Sequence, residues 1–277
     1  MPYEDYRLLR IRIDEGVATA TIDAPPVNVM TLELFAELGR FGQQVGDDDS
    51  VRVVVVDSAD PDFFIAHFDV EAILAFPLDR PAERSPENPF HRMCERFRTM
   101  PKATIARIEG RVGGGGCELV QSFDMRFGVI GRTVLSQMEV PLGILPGGGG
   151  TQRLPRLVGR GRALEIILGG DDLDAVTAER WGLLNRAFEP GAIGPFVDRL
   201  AARIASFPAE AVALAKQSVD ASALPLAEGL VEEGYLFQRT IRLDAAQQRM
   251  KRFLEVGGQT REVELSVGDV VGRLDAE

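Results

Sequence analysis

The chain has 277 residues, 45% hydrophobic and 26% charged, with a formal net charge of −11. That size and balance suit one large domain, or a main domain with a smaller appendage, and exclude an extended disordered state. The acidic surplus argues against a phosphate-backbone binder, which needs a basic face to release counterions, so nucleic acid is not an expected partner. An anionic small molecule stays open, because a few local cations or a helix N-terminus hold phosphate on an acidic protein.

No apolar run approaches the ~20 residues that cross a bilayer, so no membrane partner is expected. The opening MPYEDYRLLR has no apolar signal core, and the two cysteines, Cys94 and Cys117, form no disulfide framework. The expected location is cytoplasmic.

Residues 7–13 (RLLRIRI) and 17–22 (VATATI) read as a β-hairpin turning at Asp14, Glu15 and Gly16. Thr31 stands where a cap belongs for a helix to about Val45, with Leu34, Phe35, Leu38, Phe41 and Val45 at helical spacing. The segment 51–58 (VRVVVVDS) is a strand. FFIAHFDV then leads into a helical stretch, and a loop near 76–88 with three prolines among charged residues reads as mobile. A helix from about Pro89 to Met100, a strand ATIARIE, a glycine run at 113–116 and a helix opening at Cys117 follow. A further glycine run, 147–150, comes after Pro146, and from about Arg162 the pattern is helical. The resulting plan is an α/β core over 1–195, a helical region over 196–256 and a polar tail over 257–277.

Glycines at a strand-to-helix junction let backbone approach a ligand, and the first-turn amides of the following helix lack internal partners. Such a junction suits an oxyanion or a phosphate, although a turn without a ligand is the commoner use of glycine. Neither run fits the dinucleotide fingerprint GxGxxG, and GRVGGGGC lacks the Lys-Ser/Thr of a phosphate-binding P-loop. No GxSxG elbow is present, and two histidines and two cysteines, scattered, do not match zinc spacing. His91 and Cys94, three apart on a predicted helix, read as a structural pair rather than a catalytic dyad.

Three segments, DFFIAHFDV (62–70), IEGRVGGGGCEL (108–119) and SQMEVPLGILPGGGGTQRLPRLVG (136–159), together resemble the enoyl-CoA hydratase/isomerase (crotonase) family in order and spacing. Weaker similarity extends over most of the chain up to about residue 190. The resemblance implies a spiral of ββα units with a C-terminal helical region that supports trimers, often paired into hexamers. It implies an acyl-CoA thioester substrate, with no metal and no tightly bound cofactor. The oxyanion donors of the family match Ala66 and Gly115, and its two catalytic glutamates match Glu118 and Glu139. His67, Phe68, Asp69, Gly114, Pro146 and Gly147 fall around the substrate. The implied reaction is addition of water to a 2,3-unsaturated acyl thioester. The alternatives are double-bond isomerisation or another enolate-forming reaction, and a non-catalytic thioester-binding scaffold.

Two departures from the family pattern matter. His67 and Phe68 replace residues that are usually Gly and Ala, so two bulky side chains flank the first oxyanion donor. Ala24 and Glu71 stand where basic residues commonly help hold the CoA phosphates, which leaves two alternatives: other cations, Lys251 and Arg252 of the C-terminal helix among them, or an acyl group presented on a different carrier.

Overall fold

The computed structural model describes residues 3–77, 79, 81, 84 and 88–274. Much of the loop read as mobile, near 76–88, lies outside the described residues.

The expected hairpin forms: β1 (Leu9–Asp14) and β2 (Val17–Ile22) pair antiparallel with Asp14 opposite Val17. Thr31 caps α1 (Leu32–Asp47), its hydroxyl accepting from Leu34 N at 3.2 Å, and α1 buries Leu34, Leu38, Phe41 and Val45 as the spacing requires. The chain continues through β3 (Val53–Ser58), β4 (Phe63–Ile65), α2 (Val70–Leu74), α3 (Pro89–Thr99), β5 (Ala103–Ile108), β6 (Arg111–Gly113) and α4 (Gly114–Val120). Then come β7 (Met125–Val129), β8 (Val134–Ser136), α5 (Gly150–Val158), α6 (Arg160–Gly169), β9 (Leu173–Asp174), α7 (Ala175–Trp181), β10 (Arg186–Phe188) and α8 (Ile193–Ala205).

Two sheets result, one in the order β1-β2-β3-β5-β7-β10 and the other in the order β4-β6-β8-β9. From β2 to β10 the first sheet is parallel, as are β4, β6 and β8 in the second. Successive pairs β3–β4, β5–β6 and β7–β8 each give one strand to each sheet before the chain turns into helix, which is the ββα spiral that the family resemblance implies. The parallel strands are covered on both faces, as parallel sheets generally are. Val54 and Val56 of β3 enter the main core with α1, while Val53 and Val55 enter a second core against Ile193, Val197 and Ala201 of α8. Helix α8 therefore belongs to the core packing, and the boundary drawn at residue 195 falls within it.

The C-terminal region consists of α9 (Ala209–Asp220), α10 (Leu226–Thr240) and α11 (Asp244–Glu255), the helical run being broken between Thr240 and Asp244. Residues 257–274 carry two short helices, α12 (Arg261–Glu264) and α13 (Val267–Val271).

One buried side chain ties the first ββα turn to the second sheet. Asn28, with φ of 50°, accepts from Ala24 N at 2.8 Å and donates to Ser58 Oγ at 2.8 Å and to the carbonyls of Phe63 and Phe64 at 3.0 and 3.2 Å. Asparagine tolerates this left-handed backbone better than most residues, and its amide has both donors and an acceptor to spend here. Asn28→Ala orphans these groups and is expected to destabilise the fold by about 1–3 kcal/mol, read as a lowered midpoint in urea.

Candidate active site

The glycine run at 113–116 brings two backbone segments together. A Cβ on Gly113 would lie 2.5 Å from the carbonyl oxygen of Ala66, one on Gly115 3.0 Å from Phe68 Cβ, and one on Gly116 2.7 Å from Ile65 Cβ. Only residues without side chains allow this approach. Helix α4 consequently begins at Gly114, three residues before the expected start at Cys117, because the glycines are required by tertiary contact and do not break the helix. Gly115 lies in the first turn of α4, where an amide has no intrahelical acceptor, beside the segment that holds buried Ala66.

Glu118 sits one turn further along α4 and is only 4% exposed. Its Oε1 accepts from Gly148 N and Gly150 N, both at 2.7 Å. Burial, aided by the charge of Glu139, pushes its carboxyl up to about 7, against the pull of those two N–H donors and of the Arg153 cation. Glu139 follows β8 and is 7% exposed. Burial pushes its carboxyl up as well. Its Oε1 would lie 3.2 Å from a Cβ on Gly114, and its Oε2 is buried with no partner among the described residues. Two donors favour the ionised form of Glu118, while burial and the charge of Glu139 oppose it.

Both carboxyls line one cavity of about 750 Å³, walled by Phe68, Phe76, Phe90, Ile144 and Leu145 and bordered by Gly115. A second cavity of about 200 Å³ shares Phe68, Gly115 and Glu139 and is lined also by His67 and Gly114. Sites that orient small ligands are commonly of this kind, mostly apolar with a few convergent polar groups.

Of the residues picked out in the sequence, Glu118, Glu139, Phe68, Gly115 and Gly147 border the larger cavity, and His67 and Gly114 the smaller. Phe68 is fixed by aromatic contacts, its ring centroid 6.3 Å from Phe35 and 6.0 Å from Phe90. His67 Nδ1 lies 2.9 Å from the Phe68 carbonyl oxygen. Asp69 borders neither cavity: it caps α2, its Oδ1 accepting from Glu71 N at 2.9 Å, so its carboxylate is taken up by the helix start. Pro146 is buried behind the turn, its Cβ 3.1 Å from where a Gly150 Cβ would stand, and shapes the turn without facing the cavity.

His91 and Cys94 part company. His91 Nε2 lies 2.8 Å from the Gly147 carbonyl oxygen, while Cys94 is fully buried with its thiol pushed up to about 12 by burial. Sequence reasoning missed Phe90 and Arg153. Phe90 gave only an apolar residue early on a helix, and Arg153 only a basic residue in TQRL, with nothing to say that either folds back on the glycine run.

Alternating strand delivery to two sheets, and a glycine-rich helix start beside paired buried glutamates, define a crotonase-type α/β protein. The chain belongs to the enoyl-CoA hydratase/isomerase family, whose model matches residues 12–260. It is 33% identical to the crotonyl-CoA hydratase of Syntrophomonas wolfei over 226 residues, 79% of this chain and 83% of that protein. Among solved structures, a putative enoyl-CoA hydratase from Streptomyces avermitilis is 38% identical, with 98% of this chain and 100% of that one covered and a TM-score of 0.71. The enoyl-CoA hydratase of Bacillus anthracis superposes with a TM-score of 0.82 at 27% identity, over 90% of this chain and 96% of that one.

Proposed function

We propose that the protein adds water across the 2,3 double bond of an enoyl-CoA. The observation that carries this reading is the convergence of Glu118 and Glu139 on one cavity beside the first turn of α4. The thioester oxygen accepts from Ala66 N–H and Gly115 N–H, which stabilise the charge that develops on it as the enolate forms. Glu118 takes a proton from water as the water oxygen bonds to the β-carbon. Glu139 delivers a proton to the α-carbon, and the pair returns to its starting state when the two exchange that proton with solvent.

Hydration is followed by loss of the enoyl absorbance with thioesters of several chain lengths. No loss with any of them rejects the reading. Isomerisation leaves the count of oxygen atoms unchanged and is separated by product mass. Calorimetric binding of acyl-CoA without turnover would promote the scaffold reading, which His67, Phe68 and Glu71 motivate and the retention of both glutamates opposes.

The described lining of this cavity contains no Lys or Arg, so the proposal takes the CoA phosphates to be held elsewhere on the chain. Two free, buried cysteines agree with a reducing, cytoplasmic setting. No helix among the described residues is long and apolar enough to cross a membrane.

We also propose a trimer, or a hexamer made of two. Helix α10 exposes Leu226 (78%), Val231 (74%) and Phe237 (62%), an apolar surface of the kind that marks an interaction site. Light scattering at micromolar protein is expected to give a multiple of three subunits, and a monomer would overturn the proposal.

A further inference from the structure

The turn that cradles Glu118 is itself held from outside. Arg153, on the first full turn of α5, folds back so that Nη1 donates to the Gly148 carbonyl at 3.0 Å, while Nη2 donates to Glu95 Oε1 of α3 at 2.7 Å. Glu95 is steadied in turn by Arg98 Nε, 2.7 Å from its other oxygen. The Arg153 side chain is only 15% exposed. A Cβ on Gly149 would stand 1.9 Å from Nη1, so the guanidinium fills the space that any side chain at 149 would need. Gly149 also has φ of 114°, a backbone state that only glycine adopts readily. Turn and arginine are therefore fitted to each other, and α3 supplies the anchor.

We propose that Arg153 is a positioning residue for Glu118: it ties the Gly147–Gly150 turn to α3, so that two backbone N–H groups converge on one carboxylate oxygen and the other oxygen is left to the cavity. The proposal deepens the hydratase reading and rests on it for the role of Glu118. It is not required by the fold alone, since the turn has a second tether in His91 at Gly147.

The charged and titratable groups around Glu118 come from four elements. Glu139, after β8, opposes its ionisation, and Arg153 of α5 favours it. Cys94 of α3 and Cys117 of α4 are pushed up by burial to about 12 and about 11, so both are neutral near pH 7. Glu95, on α3, faces Arg153 and is held low by Arg153 and Arg98 against the effect of burial. Loss of the Arg153 cation and loosening of the two N–H donors act in one direction, raising the Glu118 carboxyl further.

The test uses Arg153→Met, Arg153→Lys and, in case the first fails to fold, Glu95→Gln, which removes the negative anchor of Arg153. Two readouts are taken on each: the pH profile of kcat/KM for enoyl-CoA hydration, and titration of the Glu118 carboxyl by infrared difference spectroscopy, with Glu118→Gln assigning the band. Arg153→Met is expected to move both toward higher pH by about one unit, the low end of what a nearby opposite charge does to a carboxyl. Arg153→Lys, which keeps the charge but not the fork, is expected to recover part of that shift. A Glu118 titration that superimposes on wild type in Arg153→Met and Glu95→Gln would overturn the proposal, even if turnover fell. Absence of hydration by wild type would instead count against the hydratase reading, and the infrared titration still decides the positioning role.

Discussion

Glu118→Gln and Glu139→Gln are each expected to lower kcat for hydration by ~100- to 10,000-fold, the range typical of general acid–base groups, with thioester binding retained. The expectation follows from what each carboxyl can do in place. Glu118 has one oxygen fixed by two N–H donors at 2.7 Å, an arrangement that stabilises negative charge and leaves a second oxygen to orient water. Glu139 has a buried oxygen with no described partner, and on the proposed mechanism this carboxyl gives the proton to the α-carbon. Both are pushed up by burial, and Glu118 is raised further by its neighbour.

Two such groups share a site most cheaply when one is charged, so on the proposed mechanism the active form is the singly ionised pair. The sign for pH follows. Below the first ionisation of the pair no base is available, and above the second no acid is available, so kcat/KM is expected to form a bell between the two ionisations, with the Glu118 carboxyl, raised to about 7, marking one limb. Glu139→Gln removes the like charge, and the remaining titration of Glu118 is expected to move to lower pH. On the proposed mechanism both groups act on one water, and the double substitution should then cost far less than the product of the single losses. Multiplicative losses would show that the two work independently. Wild-type rates in the double variant would remove both from the chemistry.

The hairpin, α1 and the central strands were legible from sequence because each is decided locally. Alternation, a Thr cap and a run of valines carry their own signal. The pairing of Glu118 with Glu139 was legible only through resemblance to the family, since a glutamate in a first helical turn looks the same whether it faces a substrate or solvent. What stayed hidden depends on contact between distant segments. The start of α4 was misplaced by three residues because a glycine run suggests a breaker, and only the approach of Ile65 and Ala66 to Gly113 and Gly116 shows why glycine is tolerated inside that helix. Strands β8, β9 and β10, of two or three residues each, are too short for any periodicity to register. Asp69 is placed around the substrate through the family resemblance, yet a short polar side chain just before a helix is more often drawn to the helix amides.

Ala66→Pro is expected to reduce kcat by ~100- to 1,000-fold, the cost of removing one preorganised donor from a developing oxyanion. Proline is the one substitution that deletes the N–H while leaving the chain direction almost unchanged. Ile65 before it ends strand β4, and an extended residue is what proline prefers ahead of it. The loss should fall on kcat more than on KM, since the ground-state thioester carries little charge for the donor to stabilise and the enolate carries a full one. Ala66→Gly keeps the N–H and serves as the control: an equal loss there would assign the effect to packing. Gly115, the proposed companion donor, cannot be tested in the same way, because proline within the first turn of α4 would meet Phe68, whose Cβ is already 3.0 Å from where a Cβ at 115 would stand. Circular dichroism on the same Ala66→Pro sample separates loss of the donor from loss of the fold. Full turnover with a wild-type spectrum would mean that the thioester oxygen takes its hydrogen bonds elsewhere.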